Sequence, residues 1–305
     1  MPMRPIAATA GALLGATTLF LLPFSSPAAA QHAAAQHSAP QPGADDRDAP
    51  RVVAHRGASG YAPENTLAAV DKADELGIRW VENDVQRTRD GELVVLHDTT
   101  LERTTNAEEV FPGRAPWRVA DFTAAEIARL DAGSWFGPEY AGERVPTLEQ
   151  FLGRVGQNHQ KLLLELKRPD LYPGVEAQTL KELANEGWLR RHHPADRLVI
   201  QSFDADAVRT VHALAPAVKT GFLGSPAVAE LPGYAAFADQ INPRWTTVSE
   251  EYVDAVHALK GPHGKPLEVF TWTVDDGAAA TALAGADVDG IISNRPDVVR
   301  DALER

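Results

Sequence analysis

Residues 79–98, RWVENDVQRTRDGELVVLHD, hold two runs of strand-forming residues separated by a short polar turn. The turn centres on Asp90-Gly91, a pair that is typical of tight β-hairpins. Two neighbouring parallel strands need a connection of about a dozen residues or more, and this turn is far shorter. The second run, LVVLH, is therefore predicted to fold back antiparallel on the first, as a hairpin that projects from the main sheet.

From Arg51 onward, short strand-forming runs alternate with helical patterns, as they do in parallel βα units. The candidate strands are RVVAH, RWVENDV, LVVLH, KLLLELK, RLVIQSF, KTGFL, DQINP, LEVFTWTV and VDGIISN. The helical patterns cover 66–76, 175–186, 205–214, 250–260, 276–284 and 296–303. Because the hairpin removes LVVLH from the parallel set, eight parallel strands remain. We therefore predict an α/β fold, a (β/α)8 TIM barrel, over residues 51–305.

Residues 100–145 contain no good strand candidate, although tryptophan and phenylalanine recur along them. A segment of this length is too long to be a plain loop in a compact domain. We expect it to form a small inserted lid segment, placed after the His97-Asp98 end of the hairpin and over the C-terminal face of the barrel.

The N-terminus has the pattern of an export signal. A single early charge at Arg4 precedes an apolar run, and Ala28-Ala29-Ala30 supplies the small residues of a cleavage site. An uncleaved anchor is the alternative, because the run is nearly long enough to span a bilayer, but its many Ala, Gly and Thr residues favour cleavage. Residues 1–30 are thus predicted to be a signal peptide and residues 31–50 a disordered linker. The mature protein is predicted to be secreted.

Composition excludes several classes of function. The formal net charge of -13 argues against nucleic acid or an anionic membrane as the main partner. The absence of cysteine excludes disulfides, thiolate chemistry and soft metal sites, so only oxygen and imidazole ligands remain. Composition does not select an oligomeric state.

Charged side chains stand at the ends of several predicted strands, where the site of a barrel enzyme lies. A single Glu-x-Asp pair is ordinarily the exposed face of a strand. KLLLELK, however, is a nearly continuous apolar run, which marks a strand covered on both faces, so that charges at its end need partners or a function. Spacing of i, i+2 also places each pair on one side of its strand. The residues concerned are His55, Arg56, Glu82, Asp84, His97, Glu165 and Lys167.

These residue types together suit the cleavage of a phosphodiester. Three carboxylates form a hard oxygen site for Ca²⁺ or Mg²⁺, and an arginine and a lysine neutralise a phosphate. Two histidines can act as general base and general acid near neutral pH. Flexible coordination by carboxylates at an extracellular site favours Ca²⁺ over Mg²⁺.

The chain resembles the glycerophosphodiester phosphodiesterase family over roughly residues 51–300. The resemblance is carried by AHRGASGYAPENT, ENDVQRTRDGELVVLHD, LERTT, LLLELK, TWTV and VDGIISNRPD, in the family's order. It implies a barrel that hydrolyses small glycerophosphodiesters to sn-glycerol 3-phosphate and an alcohol. It also implies roles for the residues above: acid and base for His55 and His97, phosphate binding for Arg56 and Lys167, and metal binding for Glu82, Asp84 and Glu165.

Other residues and functions remain open. Gln201 and Trp272 are candidates for substrate binding at strand ends, with core packing as the alternative for Trp272 and for Phe203. Asn65 or Thr66 is expected to cap the first helix, and Asn294 to be structural. A lysophospholipase D or a teichoic-acid hydrolase on the same barrel differs only in the group released. A non-catalytic exported binding protein is the alternative of another class, and the presence of both histidines argues against it.

Overall fold

A closed barrel of eight parallel strands forms the centre of the chain. The computed structural model describes residues 49–190 and 194–305. The predicted signal peptide and all of the predicted linker except its last two residues lie outside these ranges. The described residues form nine strands, of which all but the antiparallel β3 belong to the barrel: β1 (Arg51–Ala54), β2 (Trp80–Arg87), β3 (Leu93–Val95), β4 (Lys161–Leu166), β5 (Leu198–Ser202), β6 (Lys219–Leu223), β7 (Gln240–Asn242), β8 (Glu268–Thr271) and β9 (Gly290–Ser293). Pairing of β1 with both β9 and β2 closes the barrel, which confirms the predicted fold class.

Helices connect the strands around the outside. They are α1 (Leu67–Glu75), α2 (Ala107–Val110), α3 (Ala124–Ile127), α4 (Leu148–Gln157), α5 (Val175–Asn185), α6 (Pro194–Arg197), α7 (Ala205–Leu214), α8 (Leu231–Tyr234), α9 (Glu250–His257), α10 (Gly277–Gly285) and α11 (Pro296–Leu303). Short 3-10 turns occur at Val119–Asp121, Pro138–Tyr140, Pro169–Leu171, Val228–Glu230 and Trp245–Thr247. No helix within the described ranges is long and apolar enough to cross a membrane.

Helix α4 is absent from the sequence prediction, although its sequence carries a clear signal. Thr147 and Gln150 form a reciprocal capping box at its start. Leu148, Phe151 and Val155 then recur at helical spacing and are fully buried. This helix is the crossover between β2 and β4, so it completes the alternation that the sequence prediction left incomplete at this point.

The hairpin forms as predicted and leaves the barrel. Strand β3 pairs antiparallel with the end of β2, with Val85 opposite Val95 and Arg87 opposite Leu93. The turn places Gly91 at a φ of 91°, in the left-handed region that favours glycine. Beyond β3, the buried side-chain amide of Gln86 donates to the backbone carbonyls of Leu96, His97 and Asp98. The segment that carries His97 is thus fixed to β2.

Residues alternate along each barrel strand between the interior and the helices. On β2, Val81 and Val85 pack outward against the helices, whereas Trp80 packs in the barrel interior. Trp80, Glu82 and Asp84 share one side of the strand because side chains alternate with period two. This alternation explains why an apparently irregular mixture of apolar and acidic residues forms one regular strand.

The interior layer beneath the site is apolar and tightly packed. It consists of Val53, Trp80, Leu163, Val199, Phe270 and Ile292. Gly290 belongs to this packing because a Cβ atom there would lie 2.3 Å from the ring of Phe270. The polar groups of the barrel mouth therefore stand on a rigid hydrophobic floor.

The inserted segment between β3 and α4 has its own apolar core, built around Leu101, Phe122 and Leu130, and it packs on Val94 and Leu96 of the hairpin. It also reaches the loop after β1, where Tyr140 Oη donates to the carbonyl of Tyr61 at 2.8 Å. The segment is thereby attached to both the hairpin and the rim of the barrel.

Candidate active site

A single cavity at the C-terminal mouth brings the predicted residues together. Eight of the nine candidates line it, and the ninth, Asp84, contacts Arg56 and Lys167. The complete lining is His55, Arg56, Glu82, His97, Glu165, Lys167, Gln201, Phe203, Leu223, Trp272, Thr273 and Ile292. The convergence expected from strand ends is therefore present.

Three buried carboxylates form the base of this site. Asp84 and Glu165 are directly opposite in the parallel pairing of β2 with β4, and one oxygen from each of Glu82, Asp84 and Glu165 lies within 4.8 Å of the others. Burial, followed by the charge of Asp84, raises the pKa of Glu82 and raises that of Glu165 to about 8. Such a set disfavours its own full ionisation unless positive charge is added beyond that of the neighbouring side chains.

The donor set fits a divalent metal ion. Asp84 Oδ1 is buried without a hydrogen-bond partner, although Lys167 Nζ lies 3.7 Å away. An unpartnered carboxylate oxygen beside two further carboxylates is a ready ligand for a hard cation. The pKa of Asp84 itself is low: burial would raise it, but the charges of Arg56 and Lys167 outweigh that effect.

The turn after β1 explains why a strand ends in His-Arg-Gly. Arg56 has a φ of 56° and Gly57 a φ of 78°, so the chain reverses direction immediately after His55. A Cβ at Gly57 would lie 2.6 Å from backbone atoms of Ala69, and only glycine fits there. The reversal directs the backbone N–H of Arg56 to Glu82 Oε2 at 2.8 Å.

Two cations accompany the carboxylates. Arg56 Nε lies 3.3 Å from Asp84, and Lys167 Nζ lies 2.7 Å from Glu165. Both side chains are mostly buried, at 16% and 12% exposure, yet both line the cavity. They therefore offer positive charge to an anion that enters the mouth.

His55 is held as a neutral imidazole. Its Nδ1 lies 2.7 Å from Asn294 Oδ1, and the amide of Asn294 in turn donates to Asp275 at 2.8 Å. Because the carbonyl oxygen of Asn294 can only accept, His55 Nδ1 carries the proton and Nε2 keeps its lone pair. Burial, and then the charge of Arg56, lowers the pKa of His55 to about 4. Asn294, expected to be only structural, orients this ring across 239 residues of sequence.

His97 has a different partner. Its Nδ1 lies 2.7 Å from Asp98 Oδ1, while Asp98 Oδ2 accepts from Arg103. The hydrogen bond from His97, together with Arg103, lowers the pKa of Asp98 despite its partial burial, so its carboxylate stays ionised. The carboxylate of Asp98 accepts the hydrogen bond of His97 Nδ1, so Nε2 is the ring nitrogen left for a partner in the cavity.

Gln201 and Trp272 line the cavity as predicted, but both also make structural contacts. Gln201 Oε1 accepts from the side chain of Asn242 at 2.8 Å, and Trp272 Nε1 donates to the Asn242 carbonyl at 2.9 Å. Trp272 packs edge to face on Phe203, a residue that is 51% exposed, and the guanidinium of Arg244 lies 5.0 Å from the centre of the Trp272 ring. An aromatic rim therefore borders one side of the mouth.

The loop before α1 contributes residues with two separate roles. Thr66 caps the helix, as expected: its side-chain oxygen accepts a hydrogen bond from the backbone N–H of Ala69. Asn65 is not the cap: its buried side chain donates to Asp84 at 2.8 Å and so braces a metal-ligand candidate. Spacing alone did not reveal this contact, because it depends on the turn made by Arg56 and Gly57.

Comparison with known proteins agrees with this geometry. The sequence model of the glycerophosphoryl diester phosphodiesterase family matches residues 55–298. The chain is 37% identical over 258 residues to a glycerophosphodiester phosphodiesterase of Caldanaerobacter subterraneus subsp. tengcongensis, covering 83% of this chain and 98% of the relative. A glycerophosphodiester phosphodiesterase of Bacillus subtilis is 35% identical over 264 residues, with 81% and 84% covered.

A solved structure also matches closely. It is an Oleispira antarctica phosphodiesterase in complex with the product sn-glycerol-3-phosphate, with a TM-score of 0.72 and 31% identity over 84% of this chain and 98% of that one. The family model matches most of the chain, and the relative from Caldanaerobacter subterraneus is 37% identical over 98% of its own length, so the chain belongs to the glycerophosphoryl diester phosphodiesterase family.

Proposed function

We propose that this chain is an exported, metal-dependent phosphodiesterase that hydrolyses glycerophosphodiesters to sn-glycerol 3-phosphate and an alcohol. The observation that carries the proposal is one cavity in which three buried carboxylates, two cations and two oriented histidines converge. The product named in the Oleispira antarctica complex supports the same substrate class.

Arg56 and Lys167 would hold the phosphate, because both cations reach the cavity from its carboxylate base. Glu82, Asp84 and Glu165 would hold the divalent metal, which supplies positive charge to the phosphate and lowers the pKa of a nearby hydroxyl. Calcium is our proposed ion, since it tolerates the flexible coordination that carboxylates give. Gln201 and Trp272 would contact the substrate from the side of the aromatic rim.

His55 would act as the general base. Its neutral Nε2 takes the proton from the glycerol hydroxyl next to the phosphoester, and the hydroxyl oxygen attacks phosphorus. His97, which would start the step with a proton on Nε2 as well as on Nδ1, would give the Nε2 proton to the oxygen of the departing alcohol, so that a cyclic 1,2-phosphate of glycerol forms. Water then opens this ring with the two histidines in exchanged roles.

The activity is tested by coupling release of sn-glycerol 3-phosphate to its dehydrogenase, with glycerophosphocholine as substrate. Activity should vanish with a chelator and return with Ca²⁺ more fully than with Mg²⁺. Intact and lyso-phosphatidylcholine, assayed by release of choline, and a teichoic-acid fragment, assayed by release of sn-glycerol 3-phosphate, are run in parallel. A higher kcat/KM on one of them would identify the corresponding alternative hydrolase. Binding of glycerophosphocholine without release of product would instead favour the non-catalytic binding protein.

The internal attack has its own test, a substrate analogue that lacks the hydroxyl next to the phosphoester. Its hydrolysis should fall by about 100-fold or more, because the nucleophile is missing. Unimpaired hydrolysis would favour direct attack by water and would exclude the cyclic intermediate.

Export is supported by the sequence of residues 1–30 alone. Mass spectrometry of the protein recovered from culture medium should give a mature N-terminus at Gln31. Recovery of the full-length chain only in the cell fraction would contradict the proposal.

A further inference from the structure

A chain of alternating charges joins the two histidine-bearing segments along the rim. Arg103, in the inserted segment, donates through Nε to Asp98 at 2.5 Å. Its two terminal nitrogens donate to the two oxygens of Glu64 at 2.8 and 2.7 Å. Glu64 also accepts from Arg56 at 2.9 Å. The whole chain runs through His97, Asp98, Arg103, Glu64, Arg56 and Asp84.

The planar guanidinium of Arg103 makes three hydrogen bonds in fixed directions, which the ammonium group of a lysine does not do. The paired bonds to Glu64 fix the plane of the guanidinium, and the third donor then has a fixed direction toward Asp98. The side chain of Arg103 is 43% exposed, but the Glu64 carboxylate that it binds is only 12% exposed. Water therefore screens this ion pair less than it screens a pair on the open surface. Burial would raise the pKa of Glu64, but the hydrogen bonds from Arg103 and the charge of Arg56 outweigh it, so Glu64 remains ionised.

Asp98 divides its two oxygens between these neighbours. Oδ1 takes the hydrogen bond of His97, and Oδ2 takes that of Arg103. Without Arg103 the carboxylate loses the contact that fixes its rotation, since the remaining bond to His97 holds only one oxygen. The orientation of the His97 ring then depends on its one hydrogen bond to Asp98, whose own side chain is free to rotate.

We propose that Arg103, clamped by Glu64, is a positioning residue that holds Asp98 and through it the general acid His97. The inserted segment therefore contributes to acid catalysis although none of its described residues lines the cavity. This inference rests on the proposed role of His97 as the acid.

The test compares two substrates that differ only in the group released. Glycerophosphocholine needs a proton on its leaving oxygen, whereas the nitrophenyl ester of glycerol phosphate releases a stable anion. Arg103→Met should lower kcat/KM for glycerophosphocholine by about 10- to 100-fold and change that of the nitrophenyl ester by less than about threefold. Arg103→Lys keeps the charge without the fork and should fall between Arg103→Met and the native protein.

Arg114→Met is the matched control. Arg114 also belongs to the inserted segment and pairs with a carboxylate, Glu126, at 2.7 Å, but it contacts neither histidine nor Asp98. It should alter the melting temperature without changing the ratio of the two kcat/KM values. Circular dichroism and melting temperature are recorded for every variant, so that loss of folding is separated from loss of positioning.

The possible outcomes separate this inference from the function on which it rests. Equal losses on both substrates in a folded Arg103→Met variant, or no loss at all, would overturn the positioning role. His97→Ala supplies the reference: if it loses both substrates equally, the acid assignment itself is wrong. If His97→Ala discriminates between the substrates and Arg103→Met does not, only the inference about Arg103 fails.

Discussion

Protonation of Glu165 should control how tightly the carboxylate triad binds its metal. Burial and the charge of Asp84 raise its pKa to about 8, whereas the bound cation requires the ionised form. For one group of this pKa, the ionised fraction is about 0.9 at pH 9 and about 0.01 at pH 6. The apparent affinity for Ca²⁺ should therefore fall about 90-fold over that range.

The assay is isothermal titration of metal-free protein with CaCl₂, in buffers that differ in their enthalpy of ionisation. At pH 7 about one proton should be released per ion, and more if Glu82, whose pKa is also raised, contributes. Glu165→Gln should weaken binding and remove that proton. Glu268→Gln is the control, because Glu268 is a largely buried carboxylate at the other end of the barrel, paired with Arg51 and Lys219.

The same shift has a consequence for stability. A native pKa of about 8 lies above the ordinary value of 4.5, so the native metal-free state holds a proton that the unfolded chain has released. Stability of the metal-free protein should consequently fall as pH rises from about 4.5 to about 8, and Ca²⁺ should restore it. Ca²⁺ affinity that stays flat from pH 6 to pH 9, without proton release, would refute this reasoning.

Three further predictions concern the scaffold. Gly290→Ala should destabilise the protein by about 1–3 kcal/mol in urea unfolding, because its Cβ would lie 2.3 Å from the Phe270 ring; an unchanged midpoint would contradict that packing. Thr147→Ala removes the cap of α4 and should cost about 1 kcal/mol by the same measurement, whereas Thr147→Ser should cost less. The hydrogen bond to Asp289 raises the pKa of His257, so the stability it adds is full below pH 6.5 and is lost as pH rises through the higher native value. The urea midpoint of His257→Gln should therefore approach that of the native protein as pH rises across this window, and a constant difference would exclude the linkage.

The barrel and most of its site were predictable because their signals are local. The short turn at Asp90-Gly91 decides the strand count, and i, i+2 spacing places Glu82 with Asp84 on one side of β2. Strand ends then bring separate segments to one rim without any knowledge of side-chain contacts. The capping box of Thr147 was equally local, and its helix was omitted although the signal was present.

The supporting contacts were not predictable in this way. Asn294 reaches His55 across 239 residues, and Arg103 reaches Glu64 across 39. Neither pair has a characteristic spacing, since each depends on how a loop turns after its strand ends. Asn65 illustrates the difficulty: as a residue before a helix it suggests a cap, whereas the left-handed backbone at φ 61° directs its amide to Asp84.

The hairpin places the two halves of the proposed chemistry on different parts of the scaffold. The carboxylates and His55 lie on or directly after barrel strands, but His97 follows β3, which lies outside the barrel. This strand pairs with β2, bridges Thr147 through Val94 and packs on the inserted segment. Local opening of the hairpin and insertion would remove the acid while the barrel remained closed. At low denaturant concentration, turnover of glycerophosphocholine would then be lost before Ca²⁺ binding, so the two measurements together report the local stability of one catalytic segment.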